Sequence, residues 1–349
     1  MTSASHELRY DDYRADSHRP AFDGLRGIGF LLVITAHIPT VPLFVYLQGW
    51  SAVWIFLVMS GYLIAMLLMR EEERSGSVAF GAFLVKRFCR IVPSYWAAIA
   101  LYWLACFAFE PSPGDYAKFM TRLPWYLAFA PEYGEGTAFS IFTHSWTVGV
   151  ELKFYLLFPP ILFLAIKNAN ARFAVTAIAA VLLTVQGSFN AQSYCALLCG
   201  AMLAFTLERP QGYAFIARMV RVPLIVPLAM IVALFVMLLY TEQLSAVASV
   251  ATYVMAYAIV QPHKVARVLC WRPLVYLGQR SYGAYLLHVL GVRYGYMLFG
   301  DSATGGILIA CFCLAVTVPA AELMYRFIEW PAIDYGRRLL SRTRPATAR

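Results

Sequence analysis

Five ionisable side chains stand inside long apolar runs: His37, Glu151, Lys153, His288 and Glu322. A charge near the centre of a bilayer costs on the order of 3 kcal/mol or more. Groups kept there at that cost usually face a cavity and act in it. His37 closes the stretch "GLRGIGFLLVITAH", with Arg26 near its start. Eleven residues at about 100° each put Arg26 and His37 on one helix face, roughly 16 Å apart along the axis. A neutral imidazole takes and returns a proton near neutral pH. In "HSWTVGVELKFYLLFPP" (144–160), Glu151 lies about 10 Å in from the outer end at ~1.5 Å per residue. That depth is compatible with His37, and a carboxylate beside an imidazole orients the ring and stabilises its charged form. His288, in "SYGAYLLHVLGV" (281–292), rises to a similar depth from the opposite side.

Structural roles compete with these. A lone membrane histidine can simply hydrogen-bond a neighbouring helix. Glu151 can pair with Lys153, and Glu322 has Arg326 four residues on, the spacing of a helical ion pair. Arg87 and Arg90 share a helix face and suit phosphate groups, of a ligand or of lipid headgroups. Cys195 and Cys199 are one turn apart, a spacing that fits packing of small polarizable residues better than a shared metal. No metal is predicted. Seven scattered cysteines do not suggest a disulfide framework.

The elements that must position these groups are transmembrane helices. Hydrophobic residues make up 61% of the 349, charged residues only 13%, and the mean hydropathy is +0.64. A soluble domain of this length would need roughly twice that charge. The apolar blocks approach the ~20 residues required to cross a hydrocarbon core. The pattern predicts an all-α, polytopic membrane protein with ten spans, near 24–45, 50–69, 92–109, 145–166, 172–188, 191–207, 222–240, 244–261, 281–299 and 305–328. Between them, 24 of the 28 Lys and Arg fall on one side, Lys118, Arg122 and Arg293 on the other, and Lys153 within a span. This asymmetry predicts both termini in the cytoplasm and accounts for the +9 charge without nucleic acid.

Residues 1–20 carry both charge signs and no apolar run, and are expected to be a cytosolic tail rather than a secretory signal. The stretch 77–93 has the pattern of an interfacial amphipathic helix. The run at 123–131 is too short to span and is read as a possible re-entrant segment. Pro39 and Pro42 are expected to end the first span just past His37.

The chain resembles the acyltransferase 3 family of integral membrane proteins that O-acylate surface glycans and other hydroxylated products. The similar stretches are "FDGLRGIGFLLVITAH" (22–37), with its Arg-x10-His spacing, "VWIFLVMSGYLI" (53–64), "VKRFCRIVPSYW" (85–96) and "HSWTVGVELKFYLLFP" (144–159). "LGQRSYGAYLLH" (277–288) and "YRFIEWP" (325–331) fit the last two spans, while 167–262 fits only in hydrophobicity. The chain departs from the family at Trp54 and Ile55, where an acid is usual, and at Thr147, which replaces a Ser but keeps a hydroxyl.

The resemblance implies a domain over 21–333, flanked by the tail and a basic cytosolic segment 334–349, in the plasma (inner) membrane. It implies an acyl-CoA donor, acetyl-CoA in the simplest case, and a saccharide or lipid-linked glycan acceptor. His37 and Glu151 would be catalytic, Arg26, Arg87 and Arg90 would hold the donor, and Ser60, Trp146 and His288 are further candidates. Lipid and a polysaccharide assembly machinery are the other partners implied. A secondary transporter or flippase with a His/Glu proton relay is the alternative, although no repeated half is evident. A scaffold without chemistry of its own is the third reading.

Overall fold

The computed structural model describes residues 8–16, 19–110, 112–133, 140–241 and 243–342, and all their regular structure is helical. In chain order the α-helices are α1 (Tyr10–Ala15), α2 (Pro20–Ala36), α3 (Pro42–Tyr46), α4 (Ala52–Ser75) and α5 (Phe80–Phe109). Then come α6 (Asp115–Leu127), α7 (Trp146–Pro159), α8 (Ala169–Gln186), α9 (Phe189–Leu207), α10 (Pro210–Met219) and α11 (Ile225–Leu238). The last are α12 (Leu244–Val260), α13 (Pro262–Leu269), α14 (Arg272–Phe299), α15 (Ala303–Met324) and α16 (Trp330–Arg342).

Six helical runs are long and apolar enough to cross a membrane: Gly49–Ser75, Phe80–Phe109, Thr143–Ala165, Ala169–Gln186, Phe189–Leu207 and Ala303–Arg342. A seventh is formed if Leu244–Val260 and Pro262–Leu269, bent by 102°, make one span. The chain is thus a polytopic helical membrane protein. Three of the ten expected spans differ in kind: α2 has 17 residues and α11 has 14, while α14 carries Gln279, Arg280, His288 and Arg293 along its 28 residues.

Two local expectations change. Residues 77–93 do not form a separate interfacial helix. α5 runs unbroken through Pro93 for 30 residues, because its apolar face continues past the arginines. The stretch 123–131 is not one apolar segment: α6 ends at Leu127, with Phe119 and Tyr126 buried, and a short 3-10 turn follows at Pro131–Tyr133. α2 stops at Ala36, short of the expected end past His37, so His37 lies just beyond the helix and does not share its face with Arg26.

The residues form two compact units. One takes in the described residues up to Ala36, with Leu43–Val78 and Ile161–Gln279; the other takes His37–Pro42, Ala79–Pro160 and Arg280 onward. In the first, α4 lies along α9 at backbone contact. A Cβ on Gly61 would stand 1.9 Å from Leu197 O, and one on Gly200 2.0 Å from Val58 O. Lipid offers no hydrophobic drive for helices to pair, so close approach at small residues supplies the van der Waals contact instead. α8 is capped by Asn168, whose side chain accepts from Asn170 N at 2.8 Å and Ala171 N at 3.0 Å.

The first unit also clasps the expected tail. Glu208, with a side chain only 1% exposed, pairs with Arg70 at 2.9 Å and with Arg14. Tyr13 Oη donates to the same carboxylate at 2.6 Å, and Tyr10 Oη to Glu208 O at 2.8 Å. Burial beside Glu208 pushes the Tyr13 phenol well up, so it remains a donor. Leu8 N bonds Val260 O at 3.3 Å. In the second unit, Phe142 is fully buried among the rings of Tyr95, Tyr102 and Tyr126.

Two variants test this packing. Glu208→Gln leaves Arg70 without its buried counter-charge and is expected to cost about 3 kcal/mol in reversible unfolding in mixed micelles; an unchanged midpoint contradicts the clasp. Gly200→Leu should abolish the monodisperse folded species in size-exclusion chromatography, because the helix backbones cannot separate without losing their contact.

Candidate active site

The second unit gathers three of the chain's six histidines. His37 follows α2, His144 sits in the 3-10 turn Thr143–Ser145 that opens α7, and His288 lies mid-way along α14. The His37 and His288 ring centroids are 5.0 Å apart, edge to face, and those of His144 and His288 are also 5.0 Å apart. His288 is fully buried, and His37 and His144 are half-buried.

Backbone and hydroxyl groups hold the rings. His288 Nδ1 lies 2.6 Å from Tyr285 O, and His144 Nε2 lies 3.2 Å from Leu286 O. Tyr285 Oη donates to His144 O at 2.8 Å and accepts from Thr147 Oγ1 at 3.1 Å. Tyr296 Oη donates to His37 O at 3.4 Å, and Cys313 Sγ to His288 O at 3.4 Å. Thus α14 supplies one histidine and, through Tyr285 and Tyr296, steadies the segments that carry the other two. Arg293, also on α14, acts electrostatically on His37 and donates to Ser112 Oγ at 3.4 Å.

A second polar group lies further along α7. Tyr155, one turn after Glu151, donates to its carboxylate. The Arg87 guanidinium from α5 is 5.6 Å from the Phe83 ring centroid and 5.7 Å from that of Tyr155. Arg90 is exposed on the same helix. Glu151 stands seven residues beyond His144, about 10 Å along a helix.

Lys153 does not pair with Glu151, since residues two apart point to different sides of a helix. Its ammonium reaches Glu132 at 2.6 Å and Phe129 O at 2.8 Å instead. Phe129 itself has φ +55°, a left-handed conformation that the Lys153 bond helps to hold. Glu322 makes the expected pair with Arg326 and also takes Arg280 at 2.6 Å.

The remaining candidates are placed more simply. In the first unit Arg26 pairs with buried Asp23 at 3.4 Å, and Asp23 also accepts from Gln279 Nε2 at 3.4 Å. Ser60 is half-buried on α4, and Trp146, in the second unit, is half-buried at the first position of α7. Cys195 packs 3.2 Å from Thr184 Oγ1.

The structure therefore brings His37 to His288 and sets Arg87 near Glu151 through Tyr155. Sequence reasoning missed His144, Tyr155 and Tyr285 as site residues. His144 opens the very stretch that contains Glu151. Tyr155 stands at the i+4 position from that carboxylate, and Tyr285 is one turn before His288, so each left a spacing signal.

The family's sequence profile, described as an acyltransferase domain, matches residues 19–326. Two relatives from Staphylococcus aureus illustrate the likeness. One, from strain MSSA476 and provisionally named an O-acetyltransferase, is 24% identical over 95% of this chain and 60% of its own. The other, O-acetyltransferase OatA of strain NCTC 8325 / PS 47, is 25% identical over 94% of this chain and 59% of its own. The chain thus spans about 60% of the length of these relatives. No solved structure gives a significant match. With the family profile covering most of its length, this chain belongs to the acyltransferase 3 family.

Proposed function

We propose that the chain is a membrane O-acyltransferase that moves an acyl group, acetyl in the simplest case, from cytosolic acyl-CoA to a hydroxyl of a saccharide or lipid-linked glycan. The observation that carries this reading is the ring of His37 packed against buried His288 in a chain of this family. Acyl transfer to a hydroxyl needs a base at the acceptor oxygen, and an imidazole in an apolar setting is suited to that task.

In this reading His37 takes the hydroxyl proton as the oxygen attacks the thioester carbonyl. The new C–O bond forms, the C–S bond breaks, and the departing CoA thiolate receives the proton. Glu151, its carboxylate fixed by Tyr155, completes the catalytic set. Arg87 and Arg90 hold the donor's phosphates, with Arg26 as a third donor-binding cation. Guanidinium suits that role because its N–H donors lie in one plane and match phosphate oxygens in pairs. Ser60 and Trp146 stay further candidates for contact with the substrates.

The same proposal extends to topology. Ten spans with both termini cytoplasmic, a domain over 21–333 and a basic segment 334–349 at the inner leaflet agree with the sidedness of Lys and Arg. The inner membrane is the compartment where cytosolic acyl-CoA and an exported glycan are both within reach. The partners are acyl-CoA, the glycan acceptor, lipid and a polysaccharide assembly machinery.

Two measurements test it. His37→Ala, purified in detergent with a melting point near wild type, should lose ~10²–10⁴-fold in kcat while still binding acyl-CoA; full activity contradicts the reading. Arg87→Ala should raise KM for acetyl-CoA about tenfold with little change in kcat, as loss of uniform ground-state binding does. An unchanged KM removes Arg87 from the donor site.

A further inference from the structure

The ion pair of Lys153 with Glu132 has no part in the transfer chemistry, yet it lies at membrane depth. Lys153 stands two turns beyond Trp146, the first residue of α7, which is roughly 10 Å along the helix. Ionised groups at such depth are costly and usually mark a substrate path. Lys153 Nζ donates to Glu132 Oε1 at 2.6 Å and to Phe129 O at 2.8 Å. The Glu132 side chain is only 3% exposed, and its second oxygen, Oε2, has no hydrogen-bond partner among the described residues. A carboxylate oxygen that gives up water without a replacement is costly, and native proteins keep such a group for a ligand or an ordered water.

The backbone around Glu132 is built to hold that oxygen. Phe129 has φ +55°, a conformation that bulky side chains avoid and that clusters at ligand clamps. A Cβ on Gly149 would stand 2.6 Å from Phe129 O and 2.8 Å from Glu132 Oε2, so only glycine lets this turn lie so close to α7. The turn Pro131–Tyr133 also packs on the turn Thr143–Ser145, which bears His144. Tyr133, next in the chain to Glu132, is 49% exposed, and its ring centroid is 5.2 Å from Lys153 Nζ.

We propose that Glu132 Oε2 binds a hydroxyl of the acceptor, with the Tyr133 ring beside it, so that the acceptor is recognised as a neutral polyol. This rests on the O-acyl transfer reading above and deepens it. An ionised carboxylate only accepts hydrogen bonds, so its partner must donate. Lys153 already balances the charge of Glu132, so a cationic partner would leave a net charge buried, and a phosphate or carboxylate would be repelled. A hydroxyl meets both conditions, and a bond to a charged acceptor is roughly twice as strong as one between neutral groups. The aromatic ring offers a flat apolar face to the C–H side of a sugar. Lys153 is a positioning residue: it fixes Oε1 and leaves Oε2 for the acceptor.

The test supplies radiolabelled acetyl-CoA to membrane vesicles that carry the full chain and their own glycans. Label is counted in glycan ester and in free acetate, the product of transfer to water, with vesicles lacking the chain as background. Glu132→Gln keeps a carbonyl oxygen for Lys153 and puts an NH2, which cannot accept, in place of Oε2. Glu132→Asp keeps the charge opposite Lys153 but draws the carboxylate back by one methylene, so it serves where the amide variant does not fold. Each should lower ester formation about tenfold or more while acetate release stays within about twofold. Wild-type ester formation in either folded variant leaves Oε2 to an ordered water only and overturns the proposal. An equal fall of both products in both variants overturns it too, since that marks a purely structural ion pair. A wild-type chain that forms no ester above background removes the transfer reading instead, so the two failures are distinct.

Discussion

A histidine packed among helices takes its orientation from the backbone carbonyl that faces one of its ring nitrogens. The second unit sets this constraint twice, at Tyr285 O and Leu286 O, on consecutive residues of α14. In a low-dielectric interior such bonds are strong and their loss is expensive, so the ring orientations follow from the helix itself. α14 is then more than a span. It carries one imidazole, anchors the turn bearing a second through Tyr285, and bonds the segment bearing the third through Tyr296. That burden of polar groups explains why α14 is less apolar than α15, the helix that follows it.

The first unit solves a different problem with the same physics. Its helices α4 and α9 approach at glycines, where contact replaces the hydrophobic drive that lipid cannot give. Its one heavily used carboxylate, Glu208, is matched by Arg70, Arg14 and Tyr13. Most of the segment that supplies Tyr10, Tyr13 and Arg14 precedes the residues matched by the family profile, which start at 19. The clasp thus joins residues before the matched span to Arg70 and Glu208 within it.

Much of this was legible in the sequence, because the signals were local. Membrane class followed from charge and apolar run length, and His37 declared itself as an ionisable residue in an apolar run, although it was expected inside the helix that in fact ends at Ala36. The i,i+4 pair of Glu322 with Arg326 followed from helix period alone. What stayed hidden depends on distance in sequence. His144 and His288 are 144 residues apart by number, and nothing in either stretch says that their rings meet. Lys153 was ambiguous because its partner Glu132 lies 21 residues back, across a turn that periodicity does not describe. The α5 boundary failed for another reason. A basic amphipathic pattern marks an interfacial helix or the inner end of a longer span equally well, and only the tertiary packing of α5 against α16 decides between them.

The central claim is that acyl transfer takes place at His37, packed with His288 and near His144, with the donor's phosphates on the α5 arginines. Cryo-electron microscopy of the protein with a non-hydrolysable acetyl-CoA analogue tests it most directly. The account predicts phosphate density against Arg87 and Arg90 and the acyl carbonyl beside the His37 ring. An analogue bound with its carbonyl remote from all three imidazoles would contradict it.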